Sequence, residues 1–447
     1  MPSLFNLPTS TSIADPSSST DRILLEEVAP RSSSLTGSVA LEFTSSPHRW
    51  FSPSDSYLII GFDAHVSNAD VDDWVAIDYD GATPYVGATL AQTAGSCFFS
   101  SVTLAVNGVL CGTLNNPAQV PGLITKTELS RDYANTAGTS EALGTTGAGR
   151  ATQVFGIKTA GDTADRTAFE LVYKPPIGFL RTLKAFPGAR ITLTFTVAPD
   201  YGSRVLTGIT DAHDHTIQGP TVATPTADTD YRIKLTSMRY MAAMMTPLNS
   251  PSIPSSVLLP MYEIASSAHQ VPNGVTAGSM QNLTFSVPPS TFKLAVVCQR
   301  ADAGTGNATR QREVTEFRAN IVPHLSVSYA GYLSPATAYM EARSQPERPF
   351  ADFVHATLAA QSGRATVDTL ASFVDSPCYV CRFAKPANDA STNATVRISF
   401  AGDLGTAVNV FVFAYFQSTC ALSFDSSGIS GGETPNTTNM ACVMGMS

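Results

Sequence analysis

The densest set of metal-ligand side chains in the sequence is Asp211-Ala-His-Asp-His215. His213 and His215 stand at i and i+2, which on a strand puts both imidazoles on one face, with carboxylates beside them. Zinc catalysis would require a third protein ligand and an open coordination position. The cluster lies among Gly, Thr and Pro, so exposed loop polarity is the favoured reading. Cys378-Tyr-Val-Cys381 is a lone CxxC. A four-thiolate zinc site needs a second such pair, and the other five cysteines offer none. The β-prone setting turns its two thiols to opposed faces rather than presenting them at a helix start, which points to buried free thiols. The acids of Asn68–Trp74 (NADVDDW) lack the central Gly and terminal Glu of an EF-hand loop. Gly144–Gly149 (GTTGAG) lacks the Lys-Ser/Thr of a phosphate cradle, and GxGxxG does not occur. No GxSxG elbow is formed, since the single pattern match, Gly428–Gly432 (GISGG), lies in the Gly/Ser-rich tail rather than between a strand and a helix. N-x-T sequons begin at Asn282, Asn307, Asn393 and Asn436, but chance produces such triplets readily in a Thr-rich chain. The expectation is no catalytic residue, no cofactor and no metal: not an enzyme.

The elements that would position any site are strands. Arg190–Ala198 alternates without error, with Ile191, Leu193, Phe195 and Val197 on one face and Thr192, Thr194 and Thr196 on the other. That period of two is the mark of a half-buried strand. Val396, Ile398 and Phe400 repeat the device, as do Val39, Leu41 and Phe43; Phe62, Ala64 and Val66; Leu325, Val327 and Tyr329; and Ile233 and Leu235. Val408–Phe416 (VNVFVFAYF) is apolar on both faces, as a strand covered on each side would be. Asn107-Gly108 between two such runs predicts a type I′ hairpin. Pro175-Pro176 and Pro288-Pro289 end strand runs, because proline cannot donate to a ladder. Helices are few: Thr125–Glu128 offers a capping box for Leu129–Ala134, and Phe353–Ala360 is expected to make two turns. The alternating strands at 191 and 396 stand 205 residues apart in similar settings. Two similar halves are therefore expected, dividing near residues 240–255.

Composition excludes several classes. Of 447 residues only 14 % are charged, well below the roughly 25 % usual for soluble domains, and the net charge is −9. A protein that wraps nucleic acid through a basic surface is disfavoured, and so is a polybasic membrane anchor. No run approaches the roughly 20 apolar residues of a membrane-spanning helix. Neither a basic n-region nor an apolar h-region opens the chain, so no signal peptide is visible and synthesis in a reducing compartment is expected. Residues 1–36 hold nine Ser, four Thr and four Pro around the island Leu24–Val28 (LLEEV), and are expected to form a flexible N-terminal arm. Residues 423–447, rich in Gly, Ser, Thr and Asn, read as a C-terminal tail.

Several segments, in order, resemble a known family. Cys97–Gly112 (CFFSSVTLAVNGVLCG) followed by Leu123–Asp132 is similar to the first-domain strands of double jelly-roll major capsid proteins, notably those of polinton-like viruses, adintoviruses and virophages. Phe186–Thr196 resembles the Pro-Gly-started strand late in that family's first jelly roll, and Tyr231–Thr246 its crossover into the second. Leu259–Ala265, Val271–Val275, Asn282–Cys298, Phe317–Ala336 and Val396–Gln417 follow in the family's order. The resemblance covers roughly 35–420. The departures are the Ser/Pro-rich start and the Gly-rich end.

The resemblance implies an all-β protein of two tandem eight-stranded jelly-roll sandwiches, with short helices in connections: 1–36 an arm, 37–245 the first jelly roll, 246–422 the second, 423–447 a tail. It implies a major capsid protein of an icosahedral double-stranded DNA virus, located in the virion and made in the host cytoplasm or nucleus. The implied partners are itself, as a homotrimeric pseudo-hexameric capsomer and its lattice neighbours, together with penton and minor or cement proteins. No sequence-specific nucleic-acid binding and no membrane span are implied. The long connections around 133–168, 200–230 and 300–315 would be the outward towers. Ile429–Gly432, before Glu433, is similar to the x-Gly-Gly sites of adenovirus-type maturation proteases, which would trim after Gly432. Three rivals stand beside this reading. They are a single jelly-roll RNA-virus coat protein with a projecting domain, a secreted or surface carbohydrate-binding or adhesive β-sandwich, for whose aromatic platform only Trp50 and Trp74 are available, and an enzyme on a double-β scaffold.

Overall fold

The computed structural model describes residues 23–46, 48–68, 73–76, 89–144, 168–183, 185–207, 217–218, 231–246, 256–289, 291–303, 322, 324–340, 345–383 and 392–423. Eight strands build a first sandwich: β1 (Ile23–Val28), β2 (Ser38–Thr44), β3 (Trp50–Asn68), β4 (Phe99–Val106), β5 (Val109–Asn115), β6 (Ala168–Tyr173), β7 (Arg190–Val197) and β8 (Tyr231–Met245). Eight more build a second: β9 (Ser256–Val271), β10 (Gln281–Ser286), β11 (Thr291–Arg300), β12 (His324–Tyr329), β13 (Tyr332–Met340), β14 (Cys378–Arg382), β15 (Asn393–Ser399) and β16 (Val408–Ser423).

The first sandwich pairs antiparallel sheet I, in the order β1-β8-β3-β6, with sheet II, β2-β7-β4-β5. Sheet III runs β9-β16-β11-β14 and sheet IV β10-β15-β12-β13. Adding eight to each label of the first sandwich reproduces the second, strand for strand. The two halves thus share one jelly-roll topology, which rules out a coat protein with one jelly roll. The strands expected to correspond, at 191–197 and 396–400, are β7 and β15, the same position in each.

Alternation fixes each inner face. Ile191, Leu193 and Phe195 of β7 pack on Val39, Leu41, Val102 and Leu104, while Thr192, Thr194 and Thr196 face outward. Val396, Ile398 and Phe400 do the same in the second core with Leu283, Phe285, Leu325 and Val327. Strand β16 is buried on both sides, as its unbroken apolar run requires. Val408, Val410 and Val412 enter the second core, and Phe411, Phe413 and Tyr415 join the first. Asn107 (φ 51°) and Gly108 (φ 82°) form the expected turn between β4 and β5. Ala330 (φ 53°) and Gly331 (φ 78°) occupy the equivalent turn between β12 and β13.

Several expectations are corrected. The LLEEV island is not part of a loose arm: it is β1, paired along its length with β8, so the first sandwich begins by residue 23 rather than 37. Residues 1–22 and 424–447 lie outside the described residues. Met241–Met245, which breaks the sequence pattern, still belongs to β8. Thr125 does not cap a helix. It lies inside α2 (Gln119–Thr127), its hydroxyl donating to the Pro121 carbonyl at 2.9 Å, and Ser130 caps α3 (Arg131–Asn135) instead. The helix expected at 353–360 starts earlier, as α5 (Glu347–Ala356), and ends at Thr357 before one turn, α6 (Leu358–Gln361). A further helix, α7 (Leu370–Asp375), carries the capping box that α3 lacks, between Thr369 and Ser372. In the described part of the connection expected around 133–168, Ala134 packs beside Leu143 and Val367, the last from the second half. Two short helices, α1 (Ala94–Cys97) and α4 (Tyr201–Val205), belong to the first sandwich, and Tyr201 and Val205 are core residues. Residues 145–167, 208–216, 219–230 and 304–321 lie outside the described set.

Candidate functional site at the seam between the sandwiches

The connection from β5 to β6 carries α2 and α3, and the equivalent connection from β13 to β14 carries α5–α7. Helix α2 is buried from Val120 to Thr127, so its polar side chains need partners inside the protein. Thr125 bonds within its own helix, and Lys126 and Thr127 find partners on the other sandwich. The Lys126 ammonium donates to both Asp368 oxygens, at 3.1 and 2.9 Å, and to the Ser376 carbonyl at 3.4 Å. The Ser372 hydroxyl donates to Asp368 Oδ1 at 3.1 Å. Thr127 and Tyr415 share a hydroxyl–hydroxyl bond of 2.9 Å. Arg131 donates through its backbone N–H to Ala365 O at 3.1 Å and through its guanidinium to Val367 O at 3.3 Å.

A second group lies beside these. Glu128 forms an ion pair with Arg181 and accepts from the Tyr262 hydroxyl at 2.8 Å, while the Arg181 guanidinium stands 4.5 Å from the Tyr262 ring centre. The Lys293 ammonium lies 3.6 Å from the Tyr415 ring centre, a cation–π contact. Burial pushes Lys293 down to about 8, against the attraction of Glu128. Glu263 accepts from the Gly178 N–H at 3.1 Å. Desolvation pushes its carboxyl up from 4.5 to about 7, opposed by that hydrogen bond and by Arg181. Folded protein therefore holds a proton that unfolded chain has lost once the pH exceeds about 4.5. Stability falls as pH rises from there to about 7, and the fall is complete above it.

Perturbed acids and bases in one place often mark catalysis. Here the partners run across the junction, from Lys126, Thr127, Arg131 and Gly178 of the first sandwich to Asp368, Tyr415, Val367 and Glu263 of the second. The arrangement joins two sandwiches into one body. Close packing reinforces it: a Cβ on Gly178 would stand 2.9 Å from the Tyr262 carbonyl oxygen and 2.5 Å from Glu263 Oε1. A groove of about 320 Å³ borders the seam, lined by Leu110, Cys111, Thr113, Glu263, Ser266 and Phe416.

The sequence-derived candidates are not brought to this place. Asp211, His213 and His215 lie outside the described residues, as do most of the Asn68–Trp74 acids and all but Gly144 of the glycine-rich run. Cys378 and Cys381 sit on β14 with their side chains in different cores, both pushed up to about 12 by desolvation. Among the described residues no three His, Cys, Asp or Glu side chains gather as a metal site would require. Asn282 and Asn393 lie exposed on β10 and β15. Trp50 is 2 % exposed, which removes it from any carbohydrate-binding platform. No described helix is long and apolar enough to cross a membrane. The seam residues carried no motif. The one trace was Lys126, the single charge in QVPGLITKT.

No known family profile matches the chain, and no curated protein resembles it in sequence. Solved structures do. The mavirus major capsid protein aligns with a TM-score of 0.55 at 12 % identity, covering 95 % of this chain and 92 % of that one. A chain of the Sputnik virophage aligns at 0.58 and 10 %, covering 98 % and 93 %. The Faustovirus major capsid protein aligns at 0.52 and 9 %, covering 89 % and 90 %. At such identities the likeness is one of fold. The chain is an all-β double jelly roll, and its structural neighbours are major capsid proteins of virophages and large DNA viruses.

Proposed function

We propose that this chain is the major capsid protein of an icosahedral double-stranded DNA virus, assembling as a homotrimeric capsomer in the virion shell. The observation that carries the proposal is the pair of topologically identical sandwiches, fused across a buried seam, in a fold shared end to end with viral major capsid proteins. Three such chains closed about a threefold axis present six similar sandwiches, so one trimer can fill a six-neighbour lattice position. A charged fraction of 14 % suits extensive subunit contact, because few charges must be desolvated on association. On this reading the role is structural and not enzymatic. The division between jelly rolls falls within 246–255, penton and cement proteins adjoin the capsomers, and synthesis precedes assembly in the host cytoplasm or nucleus.

Light-scattering mass with negative-stain microscopy on the same fraction tests the proposal. Hexagonal platelets near 141 kDa, three chains of 47.1 kDa, are expected. A monomer that stays dispersed under all assembly conditions would overturn it, and glycan binding by that monomer would favour the adhesive reading.

A further inference from the structure

The two sandwiches share a topology but not a surface. The outer face of sheet III is buried within the chain: Ala295, Val297, Phe411, Phe413, Cys378 and Val380 lie beneath the seam and contribute to the first core. Among the described residues the equivalent outer face of sheet I is left half-exposed. Its cross-strand rows are Glu27–Met241–Tyr57 and Arg239–Ile59–Val172, with Glu170 opposite Gly61 at the next step. Tyr57, Ile59, Met241 and Val172 are all half-buried, and Leu25 on the adjoining edge strand is 41 % exposed. Arg239 is bracketed by Glu27 and Glu170, leaving this apolar strip with two acids to one base.

We infer that the outer face of sheet I is covered by the α5–α7 connection of a second copy of this chain, as α2 covers sheet III within one copy. This inference rests on the capsomer reading and names the surfaces that would make it. The topology supplies the occupant: α5–α7 stands between β13 and β14 as α2 stands between β5 and β6. The chemistry of the connection fits the face. Leu358 and Leu370 are 49 % and 37 % exposed, and the exposed bend between them, Gln361–Ala365, carries Arg364 as its only charge. A Leu–Arg–Leu surface thus meets an apolar strip flanked by Glu27 and Glu170. The contact is also continuous with the seam, since Asp368 of the same connection already holds Lys126. Because donor and acceptor surfaces differ, the interface is heterologous, and it must close into a ring to avoid an open filament.

The test is the solution mass of the full chain. Met241→Glu on the face and Leu370→Glu on the connection should each weaken association about a hundredfold or more, as charges placed in an apolar contact do. Both variants should run near one chain mass at concentrations where the wild type is trimeric. Leu370 is exposed, so its substitution spares the core, and an unchanged circular-dichroism spectrum verifies that each variant is folded. Thr194→Glu, on the outer face of sheet II, should leave the trimer intact. Met241→Glu combined with Leu370→Lys should recover part of the association. If the wild type is a trimer and both single variants remain trimers, the assigned interface is wrong while the capsid reading stands. If the wild type never exceeds one chain, both fall.

Discussion

Removing Asp368 asks how much the seam depends on its most buried ion pair. The Lys126 and Asp368 side chains are 8 % and 6 % exposed, with the ammonium within 3.1 Å of both carboxylate oxygens. A surface pair would be worth at most about 1 kcal/mol. Asp368→Ala instead leaves a buried ammonium with one carbonyl acceptor at 3.4 Å, and breaking a buried pair from one side costs about 3–5 kcal/mol. For a sandwich of this size each kcal/mol lowers the midpoint by roughly 2–4 °C, so a fall of roughly 6–20 °C is expected by calorimetry. Hydrogen exchange should accelerate first in α2 and α7. The double variant Lys126→Met/Asp368→Leu removes both charges and should recover most of the loss, because the apolar pair has no desolvation cost to offset. A single-variant shift below about 2 °C, or a double variant as unstable as the single, would refute the reasoning.

Two further outcomes follow from the same seam. Gly178→Ala places a methyl 2.9 Å from the Tyr262 carbonyl oxygen, which belongs to the backbone and cannot swing away; a loss of about 1–3 kcal/mol in a denaturant melt is expected, as for other overpacked sites. Glu263→Gln imitates the protonated carboxyl, so its stability should match wild type near pH 4 and exceed it increasingly between about 4.5 and 7, by up to about 3 kcal/mol above that range. Melts of both proteins across pH check this, and a constant difference would show that Glu263 does not titrate in that window.

The strands were legible because their physics is local. A residue that alternates Ile, Thr, Leu, Thr, Phe, Thr along β7 can satisfy water and core only in one register, and Asn107-Gly108 names its own turn. The equivalent turn at Ala330-Gly331 was not legible, because alanine does not favour positive φ and takes it here from the β12–β13 pairing. β1 was missed for a related reason. Six residues of LLEEV type in a Ser/Pro-rich stretch cannot bury enough surface alone, and they gain order only by pairing with β8, more than two hundred residues away. The seam was least legible of all. Lys126 and Asp368 are separated by 242 residues and have no spacing to betray them. Their relation exists only once both sandwiches are folded.

The asymmetry between the two sandwiches is where fold and function meet. A chain with one jelly-roll topology used twice has two equivalent sheet faces to cover, and covering both within itself would close the molecule off. It covers one. Sheet III carries Phe411, Phe413 and Tyr415, large rings that only a permanent partner can keep from water, and α2 together with Phe353 and Phe373 of α5 and α7 joins them in one core. Sheet I carries half-exposed groups, Tyr57, Ile59, Val172 and Met241, interleaved with Arg239 and Glu170, a mixed surface that tolerates contact with water. That composition is what a surface needs if it must survive synthesis alone and then be buried on assembly: enough apolar area to drive association, with charges at the margin to fix its register. Exchanging the two faces would fail. Rings like those of sheet III on an uncovered face would aggregate before assembly. The charges that do lie at the junction, Lys126, Asp368, Lys293 and Glu263, carry a desolvation cost that only fixed partners can offset.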